Sequence, residues 1–238
     1  MAIDTTSHLC SLYSVEERKL PWFSVGYALK RTSISGVCGK GESVRNGILL
    51  VIANVDMPLR ELLFSPALIS TEAQRRLPPN YLLRPLASTD FDLGFVHCLG
   101  HLTQVQPDKD AFLSRFAYVL QHNHEYFILV VVELDPATKE ERRIVGSGTV
   151  FCERKFIRGN GIVGHIEDIV VHKDARGLKL GWIIIEALKH VGNQVGCYKV
   201  ILDCEEHNVK FYEKCGFMRK EVEMVWYVPG KDARASKL

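Results

Sequence analysis

No run of this sequence is long and apolar enough to cross a bilayer. The first strongly hydrophobic stretch, Gly47 to Val55, falls far short of the roughly 20 residues that a spanning helix needs. The N-terminus lacks the basic-then-apolar order of a secretory signal, because Glu16 and Glu17 interrupt it. An excess of one charge sign is also missing. The 30 Lys and Arg against 28 Asp and Glu leave a net charge of +2, so neither a nucleic-acid nor a membrane partner is called for. The seven cysteines are odd in number and scattered. They do not form a disulfide framework, and reduced thiols inside a cell are expected. A metal signature is absent too. His97 and His101 stand at i, i+4 and share a helix face, yet no Glu-x-x-His pairing supports a catalytic zinc. These histidines, with His122 and His124, are expected at or near the surface, and no metal is expected.

What is present is the composition of a globular chain, 47% hydrophobic and 24% charged over 238 residues. That length suits one domain of about 150–180 residues plus an extra segment. Residues 1–56 mix Ser, Gly, Lys and isolated aromatics without a sustained period. They read as an N-terminal extension of unclear order, with Met57 as an alternative start. Residues 57–230 read as the domain, and 231–238 as a mobile polar tail. Within the domain, Leu59 to Leu68 suggests a short helix ended near Pro66, and Tyr81 to Leu86 a strand. Ser88 or Thr89 with Asp90 looks like the cap of a helix over Phe91 to Leu102. Pro107 to His122 carries a second amphipathic helix. Glu125 to Glu133 and Arg143 to Cys152 form a hairpin around the charged turn Asp135 to Glu141, with Gly146 and Gly148 permitting close approach. Glu221 to Val228 supplies a last strand.

The centre of the domain is the stretch from His165 to Leu188. Ile166, Ile169, Val170 and Val171 have the β-branched density of a buried strand. Leu180, Ile183, Ile184, Ala187, Leu188 and Val191 make one face of a helix. Between them Arg176, Gly177, Leu178, Lys179, Leu180 and Gly181 form a basic, glycine-containing loop. Such a loop aims free backbone N–H groups from a helix start at an anion, above all a pyrophosphate. Downstream, Gly196 to Cys204 is a second apolar strand. Asn208-x-x-x-Phe-Tyr212-x-x-x-Gly216-Phe217 is a short helix closed by Gly216.

The Arg176-x-x-Lys-x-Gly181 loop resembles the Arg/Gln-x-x-Gly-x-Gly/Ala loop of the GNAT acyltransferases, with Lys179 in place of the middle glycine. The Asn208-to-Phe217 segment resembles their second signature. Together with Glu167-Asp168, Gly196 to Lys199 and Leu202-Asp203-Cys204, it is similar to the glucosamine-6-phosphate N-acetyltransferase branch. The resemblance covers roughly residues 58 to 228. It implies an α/β fold of the GNAT acyl-CoA N-acyltransferase type, a mixed, mostly antiparallel sheet flanked by helices. It implies acetyl-CoA as co-substrate and direct acetyl transfer to an amino-sugar phosphate, a step toward UDP-N-acetylglucosamine.

Residue by residue, it implies that the 176–181 loop, the strand backbone at Ile169, Val170 and Val171, and Asn208 hold the coenzyme. Asn208 also suits a helix cap, and the two roles are compatible. Tyr212 becomes the acid for the leaving thiolate; its plain alternative is a core aromatic. Thr103, the run Lys155, Phe156, Ile157 and Arg158, and Glu167, Asp168, Asp203 and Cys204 are implied on the substrate side, Asp203 nearest the amine. Glu167 and Asp168 are adjacent and cannot both enter one pocket from regular strand; a bulge or a second subunit would resolve that. A nucleophilic Cys204 remains an alternative route. Several similar enzymes place an Arg just after the residue matching Met224, where this chain has Val225, Trp226 and Tyr227. The sugar phosphate then falls to Lys155 and Arg158. Another amine substrate, or a non-catalytic acyl-CoA-binding protein, are the competing readings. Val222, Met224, Val225, Trp226 and Val228 carry more apolar surface than a free edge tolerates, so a homodimer with the substrate site near its interface is expected. The chain ends Ser236-Lys237-Leu238, the address read by the peroxisomal import receptor, and by that of glycosomes. Without import the protein is expected in the cytoplasm.

Overall fold

A computed structural model describes residues 60–105 and 107–228. The expectations for the N-terminal extension, for Met57 and for the C-terminal tail lie outside the described residues. A five-stranded sheet runs in the order β1 (Tyr81–Pro85), β2 (Tyr126–Leu134), β3 (Glu141–Arg154), β4 (Ile162–Val171), β5 (Cys197–Ile201). The first four strands are antiparallel in sequence order, and β5 joins β4 in parallel. This is the mixed, mostly antiparallel sheet expected. The helices are α1 (Thr71–Arg75), α2 (Phe95–Leu99), α3 (Lys109–Gln121), the short turn α4 (Ile157–Asn160), α5 (Leu180–Gln194) and α6 (Val209–Lys214).

The core lies where α5 crosses the sheet. Leu180, Ile183, Ile184, Ile185, Leu188 and Val191 are buried against Val130, Val131, Val145 and Val150. Each such side chain contributes about 1.5–3 kcal/mol. The approach is close because β3 carries Gly148. A Cβ there would lie 2.5 Å from Ile169 Cδ1 and 2.7 Å from Ile184 Cγ2, so any larger residue would push α5 off the sheet.

Three expected elements differ from what is observed. Among described residues, 60–65 form no helix. The Leu63 N–H donates to Leu86 O (2.8 Å) and the Ser88 N–H to Glu61 O (2.9 Å), which commits this backbone to bridging the segment after β1. Pro66–Leu68 is one 3₁₀ turn capped by Ser65, and the first α-helix is α1, capped by Ser70. The helix expected over Phe91 to Leu102 shrinks to α2, because Asp90 is not its cap. The Asp90 carboxylate instead binds the Arg84 guanidinium in a fork at 2.7 and 2.8 Å and accepts the Ala87 N–H at 2.8 Å. Finally, Glu221 to Val228 is not a strand. A strand needs a partner ladder, and this segment has none among the described residues. Its Val222, Met224 and Trp226 are exposed.

Candidate active site

β4 and β5 pair only from Ile162↔Cys197 to His165↔Ile201. Beyond that point they part, so, among the described residues, 166–171 of β4 have no strand on that side. This is the opening that Ile169, Val170 and Val171 were expected to line. The Val170 side chain is buried, so its contribution to a ligand is backbone only.

The same stretch contains a bulge. Ser147 pairs with Val170 and Thr149 with Glu167, so Asp168 and Ile169 stand opposite Gly148 alone. Asp168 takes φ 55°, a left-handed conformation uncommon outside glycine. Of the two resolutions for adjacent Glu167 and Asp168, the chain forms the bulge. Burial, then the charges of Asp168, Asp203 and Glu223, push the Glu167 carboxyl above its ordinary range. Burial does the same to Asp168. Both side chains still touch solvent, as carboxylates lining an open recess must. The repulsion places Glu167, Asp168 and Asp203 in one acidic group.

After β4 the chain makes a 3₁₀ turn, Lys173–Ala175, and then the loop into α5. Arg176, Gly177, Leu178 and Lys179 are exposed, whereas the Leu180 side chain is core. Lys179 takes φ 60° at the helix cap without a side-chain capping bond, and Gly177 takes φ 84°. Lys179 therefore holds the conformation that a glycine adopts freely. Among described residues, the backbone N–H groups of 177–182 donate to no acceptor. They and the start of the 15-residue α5 form an anion cradle. Gly181 draws the parts together: a Cβ there would stand 3.5 Å from Phe211 Cζ of α6 and 3.7 Å from Val171 Cγ2.

α6 ends in a Schellman motif. Gly216 takes φ 82°, its N–H donates to Glu213 O (2.9 Å), and the Phe217 N–H donates to Tyr212 O (3.1 Å). The accompanying apolar contact is Phe217 on Tyr212, edge to face at 6.2 Å. The Gly-Phe of the sequence signature thus fixes the tyrosine. Burial, then Cys204 and Cys215, push the Tyr212 phenol upward, so it keeps its proton at neutral pH. Its hydroxyl makes no hydrogen bond among the described residues, which leaves the proton available. Asn208 stands at the start of α6 but its side chain caps nothing. The capping reading is therefore not realised.

Asp203, Cys204 and Tyr212 line one cavity of about 820 Å³. Thr103, Lys155 to Arg158, Glu167 and Asp168 are not among its lining residues. Thr103 is exposed after α2. Lys155 Nζ is held by Glu153 at 2.6 Å, and Phe156 is 98% exposed. The turn carrying Arg158 has three successive left-handed residues, at φ 58, 64 and 58°. It ends on Tyr198, which a Cβ at Gly161 would approach to 2.8 Å. Sequence reasoning missed the four cavity cations, Lys189, Lys199, Arg219 and Lys220. Lys189 Nζ donates to Cys215 O (2.6 Å) and pairs with Glu186 (2.8 Å), so it clamps the end of α6 to α5. Lys199 lines the cavity from β5. Only the Glu186–Lys189 spacing on a helix hinted at any of them. Burial, then Glu206 and Asp203, push the Cys204 thiol above its ordinary range. A nucleophilic cysteine needs the opposite.

A second cluster lies apart from this site. His97, His101 and His172 offer ligand nitrogens within 4.8 Å of one another. The sequence paired the first two; only the fold brings the third. Burial, aided by His101, pushes the His172 imidazole below its ordinary range, so it is neutral at physiological pH.

The sequence model of the acetyltransferase (GNAT) family matches residues 95–217. Glucosamine 6-phosphate N-acetyltransferase 1 of Dictyostelium discoideum is 49% identical over 146 residues, 61% of this chain and 90% of that protein. The glucosamine 6-phosphate N-acetyltransferase of Candida albicans is 39% identical over 149 residues, 63% of this chain and 97% of its own. Among solved structures, glucosamine-6-phosphate N-acetyltransferase from Arabidopsis thaliana superposes with a TM-score of 0.58 at 38% identity, covering 62% of this chain and 97% of that one. A Trypanosoma brucei acetyltransferase does so with 0.55 at 36%, covering 62% and 99%. With its parted strands, its unsatisfied N–H loop and its Schellman-fixed tyrosine, the chain belongs to the acetyltransferase (GNAT) family.

Proposed function

We propose that this chain transfers the acetyl group of acetyl-CoA to the amine of glucosamine 6-phosphate. The observation that carries the reading is the meeting of three parts at the gap between β4 and β5: a cradle of free N–H groups, an acidic group, and a protonated tyrosine.

The 176–181 loop holds the pyrophosphate, and the free edge of β4 polarises the thioester carbonyl. Glu167, Asp168 and Asp203 attract the substrate ammonium and receive the proton it sheds to become a nucleophile. The amine nitrogen then attacks the carbonyl carbon, the C–S bond breaks, the Tyr212 hydroxyl protonates the departing thiolate, and the second proton that the nitrogen loses as the amide forms returns to the Tyr212 phenolate. Transfer is direct, in keeping with the raised Cys204 thiol and with His207, three residues on, engaged by Glu205 at 3.1 Å.

Phosphate recognition belongs to Lys155 and Arg158. Arg158 has no ion-pair partner among the described residues, and its turn packs on Tyr198, next to Lys199. The test compares glucosamine 6-phosphate with glucosamine in acetyl-CoA consumption. Arg158→Ala weakens the phosphorylated substrate by on the order of 10- to 150-fold, the cost of one charge-assisted bond, and spares the other. Equal losses on both substrates would make the turn structural, and a selective loss in Lys199→Ala alone would move the phosphate to β5.

The exposed Val222, Met224 and Trp226, with Phe156 and Ile157, support a homodimer whose interface borders the site. A monomer by light scattering at micromolar concentration would refute it. The C-terminal Ser-Lys-Leu supports import into peroxisomes or glycosomes, which deletion of Leu238 should abolish without harm to catalysis.

A further inference from the structure

The histidine cluster stands outside the chemistry above. His97 lies on α2 and His101 in the turn that continues it, where the His101 N–H donates to Cys98 O at 3.1 Å. His172 immediately follows β4 and is anchored by its own N–H on Val145 O at 2.8 Å. Ring centroids are 5.5 Å apart for His97 and His101, 5.8 Å for His97 and His172, and 4.2 Å for His101 and His172. His101 Nε2 is buried and has no hydrogen-bond partner. It is the one such side-chain atom among the described residues. A buried nitrogen without a partner costs free energy, and its ordinary relief is a donor, a water or a metal.

From this geometry we propose that His97, His101 and His172 form a binding site for a divalent cation of the zinc class. Tetrahedral zinc at 2.0–2.1 Å from each nitrogen holds the nitrogens about 3.4 Å apart. The nitrogens here lie within 4.8 Å of one another, so binding draws them together by up to about 1.4 Å. Three imidazoles with no thiolate and no carboxylate in the set select zinc, cobalt, nickel or copper over magnesium and calcium. The support around the site fits as well. The Asp174 carboxylate lies 3.5 Å from His172 Nδ1 and is itself 3.6 Å from Arg143. A carboxylate behind a ligating histidine sets its tautomer and ring orientation. With Nδ1 protonated toward Asp174, Nε2 is the nitrogen left for the metal. In the structure Nδ1 also accepts the Asp174 N–H at 3.2 Å, and metal binding trades that bond for the carboxylate one. His97 and His101 line a separate cavity of about 440 Å³, which provides an entry path and room for a fourth ligand. The consequence is mechanical. A bound ion ties α2 to the end of β4, four residues before Arg176 and the loop that cradles the coenzyme.

The test uses the full chain, stripped with a chelator and titrated with Co²⁺ as a visible reporter. One Co²⁺ per chain should bind with the absorption of a nitrogen-ligated tetrahedral ion, Zn²⁺ should displace it and Mg²⁺ should not. His97→Ala, whose side chain is exposed and whose loss does not threaten folding, should weaken binding at least about 10-fold. The His97→Ala/His101→Ala pair should abolish it, and the exposed control His124→Ala should leave it unchanged. Zn²⁺ at about 100 times its Kd should raise Tm by roughly 5–10 °C in the parent chain and not in the pair. Absence of stoichiometric binding overturns the site. So does binding that survives the double substitution, or a thiolate-to-cobalt charge-transfer band, either of which places the metal elsewhere.

Discussion

The two edges of the sheet are managed in opposite ways. At the β1 edge, Arg84 is buried and fully employed: Asp90 takes it in a fork, and Glu141 takes it at 2.6 and 3.0 Å while also binding Arg60 at 2.7 Å. Asp90 is 0% exposed. Every donor and acceptor in that corner is committed, and it joins the end of β1 to the start of β3. At the β5 edge the strands separate, the N–H groups of a loop have no acceptor, like charges crowd together, and the segment after Phe217 exposes its apolar side chains. One edge spends its polar groups on the fold. The other withholds them for a ligand, and so the difference separates stability from catalysis.

That contrast breaks most visibly at Arg84. Arg84→Ala leaves the Asp90 carboxylate buried and unpaired, a loss of about 3–5 kcal/mol. Urea denaturation should show it, while the turnover of whatever fraction stays folded is little changed. At the opposite edge, Tyr212→Phe should lower kcat by about 10²-fold or more with Tm nearly unaltered and KM for both substrates similar. A parent-like turnover would return Tyr212 to the core. Lys179→Gly sharpens the comparison at a smaller scale. It relieves the left-handed conformation at φ 60° and should add about 1 kcal/mol of stability, readable as a Tm shift of roughly 2–4 °C. It also tests how far the lysine charge assists the coenzyme.

The smallest effect is the most specific one. Glu167 and Asp168 have carboxyls raised in the folded chain, so the folded state binds their protons more tightly than the unfolded one. Their contribution is favourable below the ordinary carboxylate range and is lost as pH rises through the raised values. Glu167→Gln should therefore raise Tm at neutral pH, and the gain should fade on acidification toward pH 4. A gain that persists in acid would mean that the group is not strained by its neighbours.

Much of this was legible in the sequence. The apolar face of α5, the loop at 176–181 and the Gly216 stop are local patterns, and local backbone physics realises them. Gly216-Phe217 is the clearest case, since a left-handed stop and an apolar contact are both written in adjacent residues. What was illegible is non-local. Asp90 looked like a helix cap because its partner Arg84 sits on a strand and Glu141 lies 51 positions further on. The run after Glu221 alternates as a strand should, but alternation does not supply a neighbour. His172 carried no signal at all, because its relation to His97 and His101 exists only once β4 lies beside α2. Lys189 was hidden for the same reason, since the carbonyl it clamps belongs to another helix.

The extra residue at Asp168 is also a change of phase. Up to Glu167 the side chains of β4 alternate in step with those of β3; from Ile169 onward they do so one place later. A deletion at 168 would therefore remove more than a carboxylate. It would restore an unbroken two-residue rhythm with Val170 still opposite Ser147, and it would remove the local kink that offsets Glu167 from the free edge at 169–171. The free edge at 169–171 and the acidic group are set by one extra residue, and neither can shift along the strand without the other.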